Sequence, residues 1–86
     1  MQRILSESEE IRSIACNNRG NSYAEKGEHA KAIEDYTNAI RLNPEYATAY
    51  INRRFSYVAK GDFERAKKDY TEAIRLDPKY ANLLTT

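Results

Sequence analysis

The chain has 86 residues, 41% of them hydrophobic, and its 14 basic against 13 acidic side chains leave a formal charge of +1. That length bounds it to one small domain, and the balanced charge supplies no drive toward nucleic acid. A single cysteine excludes an internal disulfide framework and, alone, offers no metal site, and no stretch approaches the length of a membrane span. Met1 to Leu5 holds no apolar segment of signal-peptide length, so a cytoplasmic location without a membrane partner is expected.

Residues 1–12 read as an N-terminal cap and helix extension. Ser6 and Glu9 have capping-box spacing, and Glu7, Glu9 and Glu10 favour the positive end of a helix dipole. A first helix is expected over 7–25, where Ala15, Cys16, Tyr23 and Ala24 recur at helical spacing. Cys16 falls on its apolar side and is expected to be buried and inert. Gly27 marks the turn into a second helix over 28–42, carried by Ala32, Ile33, Tyr36, Ala39 and Ile40 and stopped by Asn43 and Pro44. His29 has no carboxylate or cysteine at a metal-ligand spacing, so neither catalysis nor ligation is expected of it. A third helix over 46–59, Gly61, and a fourth helix over 62–76 closed by Asp77 and Pro78 follow. Glu64-Arg65-Ala66-Lys67-Lys68-Asp69 reads as a solvated outer face, with Glu64, Lys68 and Glu72 at i, i+4 steps. Residues 81–86 read as the truncated start of a further helix.

The two halves repeat each other. KGEHAKAIEDYTNAIRLNPEYA from Lys26 aligns with KGDFERAKKDYTEAIRLDPKYA from Lys60, and Gly27 to Gly61, Tyr36 to Tyr70 and Pro44 to Pro78 are each a step of 34. The match extends back through Asn18-Arg19 with Asn52-Arg53 and Ser22-Tyr23 with Ser56-Tyr57, which frames the units as 13–46 and 47–80. Gly20, Tyr23, Ala32, Tyr36, Ala39 and Pro44 hold the small, aromatic and proline positions, and the second unit supplies Tyr50, Tyr57, Ala66, Tyr70, Ala73 and Pro78. In period and in these positions the chain resembles the tetratricopeptide-repeat family over about four fifths of its length.

The resemblance implies an all-α, right-handed superhelical stack of antiparallel helix pairs acting as a protein-interaction module, with a protein or peptide partner and no cofactor. No nucleophile elbow, phosphate loop or paired-cysteine motif suggests an enzyme. In that family the first helix of each unit lines an inner groove. Asn21 and Asn52 stand where carboxylate-clamping members carry asparagine, but Asn17 stands in place of a clamp lysine, and the further cations belong to a third unit. A carboxylate would lose its charge-assisted partners here, so clamping is not expected. The candidate groove comprises Asn17, Asn18 and Asn21 on one side of the first helix, with Ile51, Asn52 and Phe55 on the third. Amides carry both donor and acceptor and suit an extended peptide backbone. The alternative has these asparagines merely exposed, or bonded between units. A rival function is structural. Two units are fewer than the three that usually bury a continuous face, so Leu83, Leu84 and the fourth helix are candidates for homo-oligomer contact. Arg54 replaces the small Gly20, and it is expected to snorkel outward, pair with an acid, or loosen the packing of the third helix.

Overall fold

The computed structural model describes residues 4–84, with side chains through residue 82. Four α-helices follow in order, α1 (Glu7–Glu25), α2 (His29–Leu42), α3 (Ala47–Ala59) and α4 (Phe63–Leu76), and a 3₁₀ helix spans Pro78–Leu84. α1 begins with the expected capping box. The Glu9 amide donates to Ser6 Oγ at 3.1 Å, and the Ser6 amide donates to the Glu9 carboxylate at 3.2 Å. Asp62 caps α4 through the Arg65 amide. Gly27 and Gly61 have φ of +80° and +81°, the left-handed region that a side chain would strain. Each lies in the same two-bond closure. The Glu28 amide donates to the Tyr23 carbonyl and the Gly27 amide to that of Ala24; Asp62 to Tyr57 and Gly61 to Val58 repeat the pair.

Small residues let the helices of each pair approach. Ala32, Ala39, Ala49 and Ala73 are wholly buried, and so is the ring of Tyr36 in the first pair. Gly20 is buried against that ring, and a Cβ there would stand 2.6 Å from Tyr36 Cε1. The buried hydroxyl of Ser13 donates to the Ala39 carbonyl at 2.8 Å and ties α1 to α2.

Two matched ion pairs hold the helix pairs together. Arg19 forks onto Asp35 through Nε and Nη2 at 2.8 and 2.7 Å, and Arg53 forks onto Asp69 with the same two distances. Both aspartates are buried, so Asp69 departs from the solvated outer face that its charged neighbours suggested. The physical reason is the fork: two parallel charge-assisted bonds compensate the carboxylate for lost water. Asp35 holds the Arg19 pKa above the ordinary arginine value, by hydrogen bonding first and charge second. At Arg53 burial opposes the charge, but the hydrogen bond and charge of Asp69 outweigh it and the net shift is again upward.

Three further expectations change. Cys16 is half-buried rather than buried. Arg54 is half-buried and pairs with no acid among the described residues. It stacks its guanidinium over the rings of Tyr70 and Phe55, 4.8 and 5.2 Å from their centroids. Residues from Pro78 turn as a 3₁₀ helix, with Tyr80 packed against Ile51, Tyr70 and Ala73. The Tyr70 hydroxyl donates to the carbonyls of Tyr80 and Ala81, at 3.0 and 3.2 Å. The backbone of Leu83 and Leu84 closes that turn, and their side chains, the candidates for self-association, lie outside those described.

Candidate functional site

The strip where α1 and α3 lie side by side contains the candidate residues. Between the first helices of the two units, Asn52 Nδ2 donates to Asn17 Oδ1 at 3.0 Å. Asn17 is 3% exposed and lies beside the Tyr46 phenol. Asn17 therefore faces the unit boundary, realising the alternative of asparagines bonded between units. Asn18, one residue and about 100° further round the helix, is exposed. Asn17 and Asn18 thus do not share a face as expected; a helix cannot aim successive side chains at one surface.

Asn21 is half-buried and accepts from the Tyr36 hydroxyl at 2.6 Å. Its oxygen is engaged, whereas its amide nitrogen meets no acceptor among the described residues. Burial pushes the Tyr36 pKa up to about 12, and the charges of Glu25 and Asp35 add to the shift. The phenol stays protonated and a donor. On α3, Ile51 is buried in the core with Tyr70 and Ala73, while Phe55 is 56% exposed. Of the six candidates, Asn18, Asn21, Asn52 and Phe55 present accessible surface, and Asn17 and Ile51 support the strip from below.

Exposed Ile14 and Val58 extend the strip. Ile14 lies one turn before Asn17 on α1, and Val58 one turn beyond Phe55 on α3, so the register of both helices places them along the same faces. Phe55 and Val58 are legible as apolar in the sequence, but their exposure depends on nothing packing over α3. The strip combines apolar groups with amides and contains no carboxylate. The Arg54 guanidinium, stacked on Phe55, borders it.

His29 is drawn into the interior contacts, its Nδ1 lying 3.2 Å from Ser56 Oγ across the α2–α3 boundary. About two turns further along α2, Arg53 Nη1 donates to Thr37 Oγ1 at 3.1 Å. The recurring Arg19–Asp35 and Arg53–Asp69 pairs had a signal in the repeat itself, since both members recur at the 34-residue step with the same separation of 16. Among the described residues, no helix is long and apolar enough to cross a membrane.

Comparison with known proteins agrees with this architecture. Tetratricopeptide-repeat family models match residues 13–46 and 47–80. The chain belongs to the tetratricopeptide-repeat family, whose fold is an all-α superhelical stack used for protein interaction without catalysis. Among solved structures it is similar to the first TPR of Spaghetti (RPAP3) bound to HSP90 peptide SRMEEVD, with TM-score 0.75 and 28% identity. The match covers 86% of this chain and 67% of that one. No curated protein matches the chain.

Proposed function

We propose that this chain holds an extended segment of another protein along the strip formed by α1 and α3. The observation that carries the reading is the exposure of Phe55 and Val58 beside the amides of Asn21 and Asn52, on the faces that also bear Ile14 and Asn18. Apolar anchors supply affinity, while amides bond a peptide backbone whatever its sequence. The similar Spaghetti (RPAP3) domain, which carries an HSP90 peptide, supports a peptide as the ligand class.

The chemistry of recognition differs from a carboxylate clamp. Asn17 is neutral, buried and bonded to Asn52, so it cannot replace a lysine. The ligand is therefore an uncharged or mixed segment with an apolar side chain seated on Phe55, and its binding depends little on salt or on a free C-terminus.

Peptides selected from a random library against the chain supply probes. They are expected to perturb the backbone amides of α1 and α3 in two-dimensional NMR titrations. Phe55→Asp is expected to weaken them at least about tenfold, the loss of one buried aromatic contact, without lowering the melting temperature. Perturbations confined to α2 and α4, or binders that lose affinity on C-terminal amidation but not on Phe55→Asp, refute the reading.

A further inference from the structure

We infer that a second site lies in the cleft between α3 and α4, apart from the peptide strip, and that it takes a dianionic phosphoryl group. The cleft has a volume of about 230 Å³ and is lined by Arg53, Tyr57, Arg65, Lys68 and Asp69. Arg53 stands two residues before Phe55, about 200° round α3, so the cleft opens on the other side of that helix from the strip. The site therefore stands or falls independently of the peptide strip.

Three cations line the cleft against one carboxylate, an excess charge of +2. The carboxylate, Asp69, is buried and already compensated by the Arg53 fork. Arg53 spends three of its five N–H donors, two on Asp69 and one on Thr37, and keeps two. Lys68 is exposed and has no hydrogen bond or ion pair among the described residues, while Glu72, one turn further on, is taken by Arg75. The Arg65 guanidinium is tied to Asp62 at 3.4 Å, an exposed pair that contributes little and is readily exchanged. A phosphoryl group carries close to −2 at neutral pH and offers three acceptor oxygens, which matches the cleft in both charge and number of cations. A single carboxylate would leave part of that charge unmet.

The first unit supplies an internal control. One step of 34 earlier stand Arg19, Tyr23, Lys31, Glu34 and Asp35, and Glu34 in the place of Lys68 leaves that set with two cations against two carboxylates. The excess positive charge thus belongs to the second unit alone. Lys31 and Glu34 stay exposed although α3 packs on α2 through His29, Ser56, Thr37 and Arg53. Arg65 and Lys68 occupy the same positions on α4, so a helix laid on α4 in that manner would leave them open. Their exposure is a property of their place on the unit.

The test is a two-dimensional NMR titration of the 86-residue chain at neutral pH and constant ionic strength. The probes are inorganic phosphate, a short phosphoserine peptide and the serine form of that peptide. Saturable shifts are expected at the amides of Arg53, Tyr57, Arg65 and Lys68. Lys68→Glu, which copies the charge of Glu34 at an exposed position, should weaken binding at least about tenfold by exchanging an attractive contact for a repulsive one. Lys67→Glu changes the net charge by the same amount, but Lys67 does not line the cleft, so affinity should stay within about twofold. Circular dichroism melts verify that both variants keep the fold. Phosphate and phosphopeptide bound alike support the site with free phosphate as its ligand. A phosphopeptide bound at least about tenfold more tightly than phosphate, with the serine form not bound, supports it with a modified partner chain as the source. No saturable shift with either probe, or shifts confined to the strip beside Phe55, overturns the inference. Equal weakening by Lys67→Glu and Lys68→Glu also overturns it, because diffuse surface charge would then account for the binding.

Discussion

Gly20→Ala pits helix propensity against packing. In an unconstrained helix the change stabilises by about 1 kcal/mol. Here the new methyl would stand 2.6 Å from Tyr36 Cε1 and 2.8 Å from Cδ1, and that ring is 2% exposed with no open space to enter. Overpacking of this kind costs about 1–3 kcal/mol. Moving the ring also strains the 2.6 Å bond from the Tyr36 hydroxyl to Asn21, worth about 1 kcal/mol. The net expectation is a loss of about 1–3 kcal/mol, from a total that for a domain of this size is about 4–13 kcal/mol. Urea denaturation followed by circular dichroism should show the midpoint falling by about 1 M or more, with the slope unchanged. In a Tyr36→Leu background, where the ring is gone, the same Gly20→Ala change should turn neutral or stabilising. A Gly20→Ala chain as stable as wild type would refute the close contact. The second unit shows how a larger residue is received at this step: the Arg54 guanidinium lies over the ring of Tyr70, whose hydroxyl is held by the Tyr80 and Ala81 carbonyls.

Arg53→Met leaves Asp69 buried without its fork and should cost about 3–5 kcal/mol in denaturant unfolding, while Arg19→Met costs less because its removal opens Asp35 to water. Asn52→Ala strands the buried Asn17 oxygen and should lower stability by about 1–3 kcal/mol, so this variant weakens ligand binding and fold together, unlike Phe55→Asp. Burial raises the phenol pKa of Tyr36 to about 12 and, in the same direction, those of Tyr46 and Tyr50. Above pH 10 the unfolded chain releases these protons before the folded one does, so stability should fall between about pH 10 and pH 12. Tyr36→Phe should flatten that alkaline decline in thermal melts, and an unchanged pH profile would count against the buried phenol.

The helices were legible because their signals are local. Ser6 with Glu9, the paired glycines at 27 and 61, and the asparagine or aspartate before each proline act within a few residues, and each helix starts within one residue of the position they imply. The 34-residue step then made the pairing of helices readable, because identical units stack identically. The Arg–Asp forks were present in the same repeat but masked by charged neighbours: composition shows Asp69 in a run of exposed residues, and only the approach of α3 to α4 buries it.

By itself the sequence determined the family, the helix bounds and the two-unit frame, since these follow from periodicity and chain-local bonding. Tertiary structure alone decided which amides are free to meet a ligand. Asn17, Asn18 and Asn21 are alike in type and adjacent in position, yet one is bonded across the unit boundary, one is exposed and one holds Tyr36. A helical step of about 100° separates neighbours on the surface, and what stands opposite each of them is set by a helix more than a dozen residues away.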